Sequence, residues 1–223
     1  MKNFTALINY DTGSMRMELL RTMGAVMPKG GGAPFYGDQR QIQFVSGNYA
    51  WNLGAPGPNG AAPMAAPAPD AAPERMLMLW ATPIGFVKAA MANNAIVKGN
   101  TVSFTVGGKY KMEGTINAQG QVEKVRTWFD QSIVGDMLVE TTYSGYKDFS
   151  GLQLPSHMVQ TQDGFPAYDL TISAVTVNPA ADIQVPERPQ LPAAADPRRV
   201  SEDGRRRLLP DRHIASQPRH RHG

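Results

Sequence analysis

Thr101-Val102-Ser103-Phe104-Thr105-Val106-Gly107-Gly108-Lys109-Tyr110-Lys111-Met112-Glu113-Gly114-Thr115-Ile116-Asn117 decides the fold. Apolar and polar residues alternate through Thr101–Val106, the period of a half-buried strand. Gly107-Gly108 then breaks the run, and Tyr110–Asn117 reads as a second strand. A connection this short joins antiparallel neighbours, because a parallel pair needs a crossover of a dozen residues or more.

The pattern continues downstream. Val122–Phe129, Leu138–Tyr146, Leu154–Thr161 and Tyr168–Val177 are further strand candidates. They are separated by Asn117–Gly120, Ile133–Asp136, Ser150-Gly151 and Asp163-Gly164, so the expected arrangement is an antiparallel meander. Upstream, Phe4–Tyr10 and Met15–Leu19 flank the turn residues Asp11–Ser14 and read as a hairpin. Pro28–Gly37 is a loop, Gln41–Phe44 alternates again, and Asn48–Asn52 continues or follows that strand.

Two stretches interrupt the strands. Gly54–Pro73 holds eight Ala, six Pro and three Gly in 20 positions. That proline density excludes a helix or a central strand and predicts a disordered inserted loop. Glu74–Asn94 is helical: Met76, Leu77, Leu79 and Trp80 cluster in one short helix. Thr82-Pro83 then restarts the chain, with Thr as N-cap and Pro at the first helical position. Ile84, Val87 and Met91, with Phe86 and Ala90 alongside, give the second helix an apolar face.

The predicted architecture is α+β: one curved antiparallel sheet, an open half-barrel, with a short helical pair on its concave face. Residues 1–53 form the first strands of the domain, 54–73 the loop, 74–178 the helical pair and the meander. Residues 179–223 form a Pro/Ala-rich and then Arg/His-rich tail.

Composition narrows the function. The chain has 223 residues and no cysteine, so it has no disulfide framework, thiolate metal site or cysteine nucleophile. No window approaches the roughly 18 apolar residues of a membrane span. The formal net charge of +3 is unevenly spread. Residues 196–223 carry eight Arg against four acids, which leaves the remaining 195 residues with 14 bases and 15 acids. A near-neutral body gives no electrostatic footprint for nucleic acid, so none is expected as a partner. The N-terminus has no apolar signal region.

The strand-rich half, the helical pair and the run Tyr143–Pro155 resemble bacterial outer-membrane lipoprotein carrier and sorting proteins. Residues 4–195 are also similar to the region preceding the catalytic domain in exported bacterial metallo-β-lactamase-fold hydrolases. Gln39–Asn52, Thr82–Ala90 and Val139–Tyr143 carry that second likeness. It implies an exported, periplasmic parent from which this chain lacks the signal peptide, an initial helical segment and the zinc-binding domain. A zinc hydrolase of that class uses His-x-His-x-Asp-His, and the body holds one histidine, His157. Codons permitted for Asp203–Gly223, read one base later, encode a stop-free stretch containing Val-Tyr-Tyr-Leu, which resembles the first strand of such a domain. A frame shift near Ala193–Val200 would therefore account for the tail.

Candidate sites reduce to one. His220-Arg221-His222 is half a zinc motif without its other half, Gly30-Gly31-Gly32 lacks a following Lys-Ser/Thr, and Arg205-Arg206-Arg207 reads as an artefact of the frame. His157 is a satisfied or solvated strand residue. Asp130, Asp136, Glu140 and Asp148 are solubilising. Met76, Met78, Leu79, Trp80, Ile84, Phe86, Val87 and Met91 would fill the sheet, and Met76, Leu79, Trp80, Ile84, Phe86, Val87 and Met91 are the candidate lining of a hydrophobic groove. No catalytic residue, metal or cofactor is expected. The sequence favours a non-catalytic accessory domain of a truncated metallo-β-lactamase-fold hydrolase, whose catalytic domain would be its partner. The alternative is a carrier or sensor of a lipid or other apolar ligand.

Overall fold

The computed structural model describes residues 3–22, 37–54, 58–131, 135–181 and 183–186. The chain divides into two units, Met1–Val185 and Pro186–Gly223; the first is described below. Gly30–Gly32, residues 133 and 134 of one expected turn, and the tail from residue 187 onward with its Arg205–Arg207 and His220–His222 lie outside the described residues.

Twelve strands and two α-helices are described, and every pairing is antiparallel. The first sheet is a meander of β1 (Asn3–Asn9), β2 (Ser14–Arg21), β3 (Gln39–Ser46), β4 (Tyr49–Leu53) and β5 (Ala65–Pro67). Helices α1 (Ala72–Ala81) and α2 (Pro83–Ala92) follow. The second sheet is a meander in chain order of β6 (Ile96–Lys98), β7 (Thr101–Val106), β8 (Tyr110–Ile116), β9 (Val122–Gln131), β10 (Gly135–Phe149), β11 (Leu152–Gln162) and β12 (Phe165–Thr171).

The α+β class and the antiparallel meander agree with the sequence reading. The single sheet does not, because strands before and after the helices form separate sheets of five and seven. The helical detour between β5 and β6 breaks the ladder. Where an unstructured insertion is expected, Ala65–Pro67 instead pairs with Trp51–Leu53. Gly54 N–H donates to Met64 C=O at 3.0 Å and Ala68 N–H to Ala50 C=O at 2.9 Å, closing both ends of that pairing. Proline lacks a donor but is tolerated on such an edge. β12 stops at Thr171, short of the expected Val177, and the three-residue β6 has no counterpart in the reading.

Alternation sets the packing. Met15, Met17 and Leu19 of β2 and Val45 of β3 are buried on one side of the first sheet, with Leu79 of α1 against them. Val102, Phe104, Met112, Val125, Phe129, Val139 and Tyr143 are buried on one side of the second, against Leu77, Ala81, Phe86 and Ala89. The opposite face of the second sheet carries an ion-pair chain: Lys111–Glu113 (3.6 Å), Glu113–Arg126 (3.8 Å), Arg126–Glu140 (2.6 Å) and Glu140–Lys124 (3.1 Å). Exposed pairs of this kind contribute little individually.

The tightest helix–sheet contact lies at Gly114 of β8. A Cβ placed there would enter the Phe86 ring, which is fully buried and tilted 46° against Phe104 with centroids 5.2 Å apart. Glycine is therefore required for α2 to reach the sheet. Phe86→Ala is expected to lower unfolding free energy by about 3–5 kcal/mol in urea titration. Gly114→Ala is expected to cost about 1–3 kcal/mol by overpacking, and combining it with Phe86→Ala should cost clearly less than the sum.

Candidate functional site

Helix α1 lies between the two cores. Leu77 and Ala81 belong to the second-sheet core and Leu79 to the first, while Trp80 packs against both. Its run Met76-Leu77-Met78-Leu79-Trp80 is apolar nearly all round, as a helix buried on two sides must be.

Arg75 fixes the helix to the first sheet. Its guanidinium is buried, and it donates to Phe44 C=O and Trp51 C=O at 3.0 Å each and to Asn52 Oδ1 at 2.7 Å. Burial pulls its pKa down, with Glu74 opposing. A guanidinium suits this place because its planar donors reach several acceptors at once. At the other end of α1, Tyr143 of β10 donates its hydroxyl to Ala81 C=O at 2.7 Å, tying the helix to the second sheet. Burial pushes the Tyr143 phenol far above its ordinary range. Tyr146 donates to Val122 C=O at 2.7 Å and is pushed up to about 12, chiefly by burial.

The elbow between the helices is built as the sequence predicts. Gly85 N–H donates to Thr82 Oγ1 at 3.2 Å, so Thr82 is the N-cap of α2. The same hydroxyl donates to Leu79 C=O at 2.7 Å and lies 2.9 Å from the Tyr10 hydroxyl. Residue 85 must be glycine, since a Cβ would collide with Leu79 C=O and lie 2.7 Å from Thr82 Oγ1. Lys88 of α2 reaches Asp11 of the β1–β2 turn at 2.9 Å.

The seven candidate groove residues do not form one lining. Leu79 and Phe86 are fully buried but point into different cores. Met76 and Trp80 pack on the first core, Trp80 also on the second, and Ile84 is half-buried. Val87 and Met91 face outward, 42% and 82% exposed. The helices fill the space that a groove would occupy. What remains between α1 and the second sheet is a cavity of about 10 Å³, room for one water at most. It is lined in part by Glu74, Met78, Thr127, Gln160 and Gln162.

Polar groups at this cavity were not singled out by the sequence, because Gln and Thr on a strand read as solvent-facing. Thr127, Thr141 and Gln160 are instead buried on the helix side of the sheet. Gln160 donates from Nε2 to Thr141 Oγ1 at 3.1 Å, and Thr127 donates to Lys111 C=O at 3.0 Å. Arg75 was also missed; a lone cation beside a run of apolar helix residues was its only signal.

His157 lies on the other face of the second sheet. Its Nδ1 is 3.3 Å from Ser144 Oγ and its Nε2 is 2.8 Å from Asp169 Oδ1. The trio has the residue types of an acyl-transfer site, but it lies in the open, with the Asp169 side chain 77% exposed. Such chemistry needs a water-excluding pocket and oxyanion donors, and the three residues line neither the cavity under α1 nor the open cleft beside Lys109, Trp128 and Asp136. The trio ties β12 to β11. Asp148 accepts from Gly151 N–H at 3.1 Å in a turn, Glu140 sits in the ion-pair chain, and Asp130 and Asp136 oppose each other across β9–β10. Among the described residues, no three His, Asp or Glu side chains are grouped to hold a metal ion, and no helix is long and apolar enough to cross a membrane.

Comparison with protein-family models, with curated proteins and with solved structures finds no match. The geometry alone carries the functional argument.

Two measurements check it. Arg75→Ala would strand the buried carbonyls of Phe44 and Trp51 and should cost about 2–4 kcal/mol in urea titration, with Arg75→Lys intermediate. The second is pH dependence. Burial raises the Glu74 carboxyl above its ordinary 4.5, against the opposing charge of Arg75. Hydrogen bonding from Arg40 lowers Glu18, and at Glu140 bonds from Arg126 and Lys124 outweigh a raising effect of burial. A raised carboxyl favours folding below its unfolded pKa and loses that contribution as pH climbs through its folded value. Lowered carboxyls do the reverse, contributing above 4.5 and losing it as pH falls. Glu74→Gln should therefore stabilise the protein near pH 7, and this gain should vanish by about pH 3.5, read from urea midpoints.

Proposed function

We propose that this chain is a non-catalytic domain that binds a lipid or other apolar chain in the interior now filled by α1 and α2. The reading takes the two sheets as a half-barrel bent around the helical pair, with the pair as its internal occupant. One observation supports it above others. Met15, Met17, Met76, Met78, Met112, Met137 and Met158, seven of the chain's 12 methionines, lie in or against the two cores that meet at α1. Methionine is unbranched and polarizable, so a wall rich in it can repack around occupants of different shape. An ordinary core fixed in one arrangement is better served by Leu, Ile and Val.

A specific observation favours the second reading, an accessory domain beside a metallo-β-lactamase-fold hydrolase. Val87 and Met91 on α2 and Ile96 and Val97 on β6 are exposed, the last two at 59% and 65%. β6 is also the free edge of its sheet. Neighbouring protein covering this end would bury apolar side chains and pair the edge. The two readings are compatible, since an accessory domain can capture a substrate's apolar part.

Titration with a neutral apolar fluorophore tests the first reading. Saturable one-to-one binding, competed by single-chain lipids, is the expected result, and native mass spectrometry should show the same stoichiometry. A fluorophore that never saturates, with no lipid adduct in the mass spectrum, contradicts it. Sequencing the DNA flanking the gene tests the second. A His-rich metal motif in an adjoining frame is expected, and its absence removes that reading.

A further inference from the structure

The face of the second sheet turned away from the helices holds an open cleft of about 430 Å³, within the roughly 300–1,000 Å³ of small-molecule sites. Lys109, Tyr110, Lys111, Trp128, Asp130 and Asp136 line it. Strand alternation builds the cleft. Met112, Thr127 and Phe129 are buried on the helix side, so Lys111 of β8 and Trp128 and Asp130 of β9 project to the other. Asp136 of β10 faces Asp130 across the ladder, and Lys109 lies in the β7–β8 turn.

Charges in the cleft are sorted by sign and do not pair across it. On the adjoining part of the same face, Glu113, Arg126, Glu140 and Lys124 neutralise one another through contacts of 2.6–3.8 Å. In the cleft, Lys109, Asp130 and Asp136 enter no ion pair among the described residues. Two carboxylates directly opposite each other on a sheet are unfavourable unless a cation answers them. The cations gather on the β8 side. Lys109 Nζ is 5.1 Å from the Tyr110 ring centroid, and Lys111 Nζ is 4.6 Å from that of Trp128 and 3.6 Å from Glu113 Oε2. The carboxylates stand on the β9–β10 side, and the half-buried Trp128 indole lies between the two groups.

From this arrangement, we infer that the cleft binds a zwitterion whose ammonium and carboxylate are joined by a short alkyl chain, as in an ω-amino acid or a lysine at the C-terminus of a polypeptide. The ammonium meets Asp130 and Asp136, the carboxylate meets Lys109 and Lys111, and the methylenes lie along the indole. Neighbouring strands are about 4.8 Å apart, so the two walls are separated by roughly 5–10 Å. An extended six-carbon amino acid spans that gap, whereas the adjacent charges of glycine do not. Each exposed charge contact is weak by itself, so a ligand that satisfies both walls at once gains most. This site is separate from the interior and stands whether or not the interior takes an apolar chain.

Isothermal titration with 6-aminohexanoate at neutral pH and low salt tests the inference. One-to-one binding is expected, at least about tenfold tighter than that of glycine, hexylamine or hexanoate, which each lack the spacing or one charge. Asp130→Asn combined with Asp136→Asn should weaken 6-aminohexanoate at least about tenfold and leave hexanoate no weaker. Lys109→Gln should weaken 6-aminohexanoate but not hexylamine, and unchanged urea midpoints establish that the variants are folded. Nα-acetyl-lysine against its amide separates the two sources. Binding of the free acid but not the amide assigns the cleft to C-terminal lysines, and binding of 6-aminohexanoate alone assigns it to free ω-amino acids; either supports the inference. No binding of 6-aminohexanoate, equal binding of the singly charged probes, or undiminished binding by the folded double variant overturns it.

Discussion

Helix α1 has to bury two opposite faces at once. Leu79 belongs to the core of the first sheet, Leu77 and Ala81 to that of the second, and Trp80 touches both. Nothing else among the described elements joins the two sheets so extensively. Remove α1 and the first sheet loses the partner of Met15, Met17, Leu19 and Val45, while the second loses part of the cover over Phe129 and Val139. Apolar burial supplies the cohesion, and polar contacts set the position. Arg75 determines how α1 sits on β3 and β4, Tyr143 where it ends on β10, and Thr82 how sharply the chain turns into α2.

These polar contacts differ in consequence from the apolar ones. Buried hydrogen bonds add only about 1 kcal/mol net each, but leaving their partners unpaired costs more. Arg75 is thus better understood as a registration device than as a source of stability, because a desolvated guanidinium is itself unfavourable. Burial also raises the half-buried Glu74 carboxyl, with the neighbouring charge of Arg75 opposing it.

Regular alternation made most strands legible. Thr101–Val106 forms a strand with the bounds read from the sequence, and the Thr82-Pro83 restart became a capped helix N-terminus. Short elements were not legible: β6 spans three residues and β5 lies in a proline-rich segment, so neither offers a period to detect. The division into two sheets was hidden because local patterns specify strands, not which ladder they join. Groove residues were misjudged for a related reason. A helix apolar on all sides gives no cue to direction, so Leu79 and Phe86 could not be assigned to different cores. Val87 and Met91 read, with Phe86, as part of the inner face of α2, yet the helix buries Phe86 and Ala89 and turns Val87 and Met91 outward.

Structure and proposed function meet in the helical pair. If α1 and α2 occupy a space that a ligand can share or take, they must be able to leave the sheets without unfolding them. Hydrogen exchange followed by mass spectrometry measures this directly. The account predicts that amides of residues 72–92 exchange through an opening in which β8–β10 stay protected, and that an apolar ligand changes the rate of that opening. Exchange of the helices only together with the sheet strands, at the rate of global unfolding, would contradict it.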